Sequence, residues 1–95
     1  MTVTLFYNQY TNGGAVEREG WEAFNADNEI MTYGSCYSLR TAEVDLPDGW
    51  RIADVCGKPE IVDETGYAVT IDNEKSTIDT IYVYDGKTPY ARRLK

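Results

Sequence analysis

Between Ala42 and Ile71 the chain runs in short apolar and polar alternations broken by turn residues (AEVDLPDGWRIADVCGKPEIVDETGYAVTI). Ala42, Val44 and Leu46 alternate with Glu43 and Asp45. A period of two sends these sets to opposite faces of a strand. Pro47-Asp48-Gly49 signals a turn, and Trp50–Val55 returns as a second strand. Gly57-Lys58-Pro59 reads as the next turn, Glu60–Val62 as a short strand, and Asp63-Glu64-Thr65-Gly66 as a tight turn. Tyr67–Ile71 reads as a fourth strand with Tyr67, Val69 and Ile71 on one face. Val44, Leu46, Ile52, Val69 and Ile71 are the expected core. Successive hairpins of this kind predict an antiparallel meander.

The flanks add to this sheet. Thr2–Asn8 is a β-rich stretch with Val3, Leu5 and Tyr7 on one face and Thr2, Thr4 and Phe6 on the other. Both faces are partly apolar, which suits a central strand or one covered by a helix. Asn12-Gly13-Gly14 ends it in a sharp change of direction. Ala15–Ala26 predicts a helix: Val16, Ala23 and Phe24 share a face, Trp21 lies beside Phe24, and Glu17 and Glu19 suit the positive end of the dipole. Gly20 weakens that helix by about 1 kcal/mol relative to alanine. Asp27-Asn28-Glu29 reads as a polar corner, and Ile30–Tyr33 as a short strand or extended connection. Ser35–Leu46 is the longest strand. Cys36 shares the parity of Ala42, Val44 and Leu46 but Leu39 does not, so a β-bulge is expected near Arg40. Thr77–Tyr84 predicts a further strand, Asp85-Gly86 a hairpin turn, and Lys87–Arg93 a returning strand with Pro89 on an exposed edge. The expected fold is α+β: an antiparallel meander of five to seven strands with one short helix packed on one face, forming a single domain over residues 1–95.

Charge sharpens the picture. The chain carries 16 acidic and 9 basic residues, a net charge of −7. Four of the bases (Lys87, Arg92, Arg93, Lys95) fall in the last nine residues, which hold no acid. The body before them is strongly acidic. It repels nucleic acid and anionic membranes and attracts basic partners. Eight tyrosines favour strands. No run approaches the ~20 apolar residues of a membrane span. The N-terminal MTVTLFYNQY lacks the basic start and apolar run of a signal peptide. With two cysteines, Cys36 and Cys56, expected to be reduced, the reading points to the cytoplasm.

Candidate chemistry is sparse. There is no histidine, which removes the commonest general base and zinc ligand. Asn12-Gly13-Gly14 stands where phosphate-binding loops stand but lacks both their glycine spacing and their lysine. Acid pairs such as Asp63/Glu64 fall in turns. Asp72-x-Glu74 lacks the glycine and later glutamate of a calcium loop. The expectation is therefore no catalytic residue, no metal, no cofactor and no enzyme activity. One feature points to binding. Glu43 and Asp45, about 6.7 Å apart along one face of a strand, make an acidic row flanked by Asp48 and Asp63, with Trp50 and Tyr67 as contact anchors. The chain resembles anti-CRISPRs and other phage or mobile-element inhibitors in size and charge. The expected function is a small acidic binding protein that inhibits a basic partner of the kind found in nucleic-acid-binding complexes, without touching nucleic acid or membrane itself. The alternative is an assembly component that forms a homo-oligomer through a sheet edge. The expected state is monomer or homodimer.

Overall fold

Gly13 and Gly14 both adopt positive φ (60° and 86°), the backbone of a two-residue type I′ hairpin turn, whose twist matches that of paired strands. In the computed structural model, which describes residues 1–27, 29–31 (backbone only) and 34–94, this turn joins β1 (Thr2–Asn12) to β2 (Ala15–Glu22). Their antiparallel register runs from Asn12↔Ala15 to Phe6↔Glu22. The expected helix over 15–26 is thus overturned. Residues 15–22 form a strand, and no helix occurs among the described residues. Gly20 already disfavoured a helix, and the long β1 offers an edge whose main-chain groups need a partner.

β4 (Gly34–Asp45) pairs with the other edge of β1, from Thr2↔Asp45 to Asn12↔Gly34. β1 is therefore the central strand of a β2-β1-β4 sheet, to which the short β3 (Glu29–Met31) adds at the start of β4. The register steps from Tyr7↔Arg40 to Asn8↔Ser38. Leu39 is the extra residue, so the bulge expected near Arg40 is present. Of the expected Ile30–Tyr33 strand, Ile30 and Met31 belong to β3, whereas Thr32 and Tyr33 lie outside the described residues. So does Asn28 of the expected corner.

The remaining strands do not extend that sheet as a meander. β5 (Arg51–Val55) and β6 (Lys58–Val62) form a separate hairpin. Its turn is Cys56-Gly57, one residue earlier than expected, with positive φ at both residues (54° and 84°). β7 (Thr70–Ile71), β8 (Ile81–Tyr84) and β9 (Arg92–Leu94) make a third small sheet. The expected Tyr67–Ile71 strand contracts to β7 plus a single bridge between Val62 and Ala68. Tyr67 does not join the buried Val69 but is 76% exposed. The expected Thr77–Tyr84 strand begins only at Ile81. Asp85-Gly86 opens a loop and not a two-residue hairpin. The architecture is all-β, with antiparallel pairing throughout the described residues.

One core joins the three sheets. Leu5, Trp21, Ala42 and Val44 from the first sheet pack against Leu46, Trp50, Ile61, Val69, Ile81, Val83 and Leu94. Of the expected core, Val44, Leu46 and Val69 are buried, and Ile52 and Ile71 pack against its margin. This core covers the inner face of the first sheet, where Tyr7 and Trp21 meet edge to face at 5.3 Å. At its far end residues 23–27 fold over the opposite, outer face. There Tyr10, Ala26 and Cys36 form a second small core beside Phe24. Thr2, Thr4, Thr41, Glu43 and Asp45 are left on the open part of that outer face. The molecule measures 40 × 25 × 23 Å. Among the described residues no helix is long and apolar enough to cross a membrane.

Candidate functional site

Strand alternation and register place the acidic row where expected. Glu43 stands opposite Thr4 and Asp45 opposite Thr2, both exposed. Thr2 Oγ1 donates to Asp45 Oδ1. Asp48 is exposed in the turn that follows, where Trp50 N donates to the Pro47 carbonyl at 3.0 Å. Among the described residues none of these three acids makes an ion pair. They form an open, unneutralised acidic surface at the β4 end of the sheet.

The other three expected contact residues divide. Asp63 is buried and works inside its own turn. Its Oδ1 accepts from Thr65 Oγ1 at 2.6 Å, Thr65 N at 2.9 Å and Tyr67 N at 3.0 Å. The Thr65 hydroxyl, with the two backbone donors, holds its carboxyl below the usual range despite burial. Trp50 is also buried, its Nε1 donating to Glu64 Oε2 at 2.8 Å. The Arg92 guanidinium lies 5.1 Å from the Trp50 ring centre and pairs with Asp85 at 3.6 Å. Glu64 is held in turn by Lys87, whose hydrogen bond is the main cause of its lowered carboxyl pKa. The same contact raises that of Lys87. Trp50 and Asp63 therefore fasten the 63–66 turn to the core and present little to solvent. Tyr67 alone of the three is open. It lines a shallow cleft of about 570 Å³ with Tyr84 and Lys87, away from the Glu43–Asp45 row in the pairing pattern.

The strongest polar cluster escaped sequence reasoning. Glu22, at the end of β2, accepts from Asn8 Nδ2 at 3.0 Å and from the Tyr10 hydroxyl through Oε1. Through Oε2 it meets Lys58 Nζ at 2.8 Å and Arg18 at 3.6 Å. Burial pushes its carboxyl up, but the hydrogen bonds from Lys58, Tyr10 and Asn8 outweigh that and leave it below the usual range. Burial, then the bond to Glu22, pushes the Tyr10 hydroxyl well up. Arg18 stacks 3.6 Å from the Tyr10 ring centre. Asn8, fully buried, passes the network on. Its Nδ2 also donates to the Phe24 carbonyl, and its Oδ1 accepts from Ser38 Oγ at 2.6 Å. With Arg18 and Lys58, Glu22 borders a half-open cleft of about 230 Å³ between β2, β6 and β7. Its oxygens are already occupied by four donors, so it ties β2 to β6 and to the 23–27 turn and offers no free base. The hint in the sequence was Asn8, the one amide in the expected Thr2–Asn8 strand, whose other residues are apolar, aromatic or threonine.

Cys36 is buried in β4, and Cys56 is exposed in the β5–β6 turn. Among the described residues no three His, Cys, Asp or Glu side chains are grouped to hold a metal ion. Comparison with family models, with curated proteins and with solved structures finds no match to this chain.

Proposed function

We propose that the protein is a small, non-enzymatic binding protein that sets an acidic sheet face against a basic protein partner and so inhibits a partner that handles nucleic acid. One observation carries this. The fold directs Arg18 and Lys58 to Glu22, Lys87 to Glu64, and Arg92 to Asp85. Among the described residues Glu43, Asp45 and Asp48 are left exposed with no base paired to them, side by side at one end of β4 and the turn after it. A row of like charge on a rigid strand raises its own field and steers a basic surface onto it. An exposed thiol at Cys56 suits action in a reducing compartment such as the cytoplasm.

Affinity capture from cell extract with the native chain and with a Glu43→Lys/Asp45→Lys variant tests the proposal. The expected result is a basic protein enriched by the native chain and lost with the variant. Its affinity should fall steeply with salt, and its nucleic-acid binding should be competed away. A captured partner whose affinity ignores both the charge reversal and the salt would sink the idea.

A second reading, assembly into a homo-oligomer through a sheet edge, draws support from β4, which among the described residues has no strand on its outer side beyond Cys36. A tight dimer in sedimentation without any partner would favour it.

A further inference from the structure

We propose that the outer edge of β4 from Thr41 to Asp45 receives an extended basic segment of the partner as an added strand. This rests on the acidic-face reading above and names what that face takes. β4 pairs with β1 along nearly its whole length, whereas β3 covers its other side only over Gly34–Cys36. Next along, Ser38 N is capped by Asp27 Oδ1 at 2.6 Å, and Leu39 is the bulge. Beyond it no strand of the described residues covers the edge. Leu46 N donates to the Met1 carbonyl at 2.9 Å, so the main-chain groups of Leu46 face β1. Antiparallel pairing alternates. The groups of Val44 and Ala42 therefore also face β1, and those of Asp45, Glu43 and Thr41 face away. Among the described residues no strand pairs with them. The same three residues set their side chains on the exposed outer face. One short stretch thus presents three outward N–H groups, three outward C=O groups and two unneutralised carboxylates.

Charge selects the occupant. In an added antiparallel strand, directly opposed side chains stand about 4.5–5.5 Å apart at Cβ. Lysine or arginine at alternate positions would face Glu43 and Asp45. A second copy pairing through its own β4 would instead bring two more acids onto the same face, with a net charge of −7 on each chain. Native edges are commonly blunted by lysine or proline, and Thr41–Leu46 carries neither. Its acids oppose self-pairing while leaving the edge open to a basic strand.

The probe is an eight-residue peptide, capped at both ends, with lysine at every second position and threonine or valine between. Its control carries methyl groups on the lysine main-chain nitrogens, which would point at β4. Amide exchange on the full chain, read by NMR, is expected to slow at least tenfold at Thr41, Glu43 and Asp45 with the peptide, and not with its control. Ala42 and Val44, already paired to β1, serve as internal references. Thr41→Pro removes one outward N–H, keeps every acid and leaves the β1 ladder intact; it is expected to weaken the peptide at least fivefold. No slowing at these three amides under saturating peptide overturns the proposal. Equal affinity for the methylated control also overturns it, while leaving the acidic face standing. Unchanged peptide affinity in Glu43→Gln/Asp45→Asn would remove the acidic-face reading itself. Slowed exchange that instead grows with protein concentration alone, alongside a dimer in sedimentation, overturns it in favour of self-pairing.

Discussion

Glu22 shows what a carboxylate can do when its surroundings supply donors. It gathers Asn8, Tyr10, Lys58 and Arg18 around two oxygens. Replacing it with leucine leaves the amide of buried Asn8 and the hydroxyl of Tyr10 short of an acceptor. We expect Glu22→Leu to cost about 1–3 kcal/mol in urea unfolding, with Glu22→Gln milder. The same residue predicts a pH dependence. Its folded pKa is depressed, so its contribution is present above the unfolded value of about 4.3 and is lost as pH falls through the folded value. Urea midpoints measured from pH 7 down to pH 3 should fall, and Glu22→Gln should flatten that limb. Asp63, Glu64 and Asp85 shift the same way, so some slope will remain. Tyr10 is raised. Its contribution is complete below about pH 10 and lost as pH climbs toward its folded value. Cysteine gives a simpler check. A thiol reagent should label Cys56 rapidly in the native protein and reach Cys36 only on unfolding, in keeping with their burial.

At the scale of elements, two tight turns organise the chain. Gly13-Gly14 brings β2 back along β1, and Cys56-Gly57 closes the β5–β6 hairpin. Cys56 holds a positive φ that costs a side-chain-bearing residue about 1–2 kcal/mol. Asparagine tolerates that region far better, and Asn-Gly is the favoured pair for this turn. Cys56→Asn should therefore raise stability by about 1 kcal/mol, read as a higher urea midpoint at unchanged slope. β2 is secured along its outer edge by Asn73, whose Oδ1 accepts from Trp21 N at 2.6 Å. Removing that acceptor with Asn73→Ala should cost about 1 kcal/mol and speed amide exchange at Trp21 in particular.

Over the whole molecule three acids, Glu22, Glu64 and Asp85, sit beside bases, and Asp63 caps its own turn. Among the described residues Glu17, Glu19, Asp54, Glu74 and Asp79 are exposed with no ion pair, as are Glu43, Asp45 and Asp48, which share one region. Binding through that face should weaken markedly between low and physiological salt, since exposed charges are screened within about 8–10 Å there.

Local alternation and turn chemistry were sufficient for much of this. They placed the strand over Ala42–Leu46, the bulge near Arg40, the turns at 12–14, 47–49 and 63–66, and the outward Glu43 and Asp45, because each depends on neighbours only a few residues away. Partners distant in the sequence decided the rest. Residues 15–22 carry a pattern compatible with a helix, yet the vacant edge of β1 and the Gly13-Gly14 turn make them a strand. Trp50, expected as an aromatic contact anchor, and Asp63, expected as an acid flanking the row, are instead turned inward by Glu64, Thr65 and Tyr67. Glu22 carried no signal of its own in the sequence; Asn8, Tyr10 and Lys58 converge on it only across 14, 12 and 36 residues of chain. The sequence by itself determined the strand over 42–45 with its bulge, the turns at 12–14, 47–49 and 63–66, and how acidic the chain would be. Only the tertiary structure decided which acids are neutralised and which edge stays open, because both depend on contacts that exist only after distant strands have met.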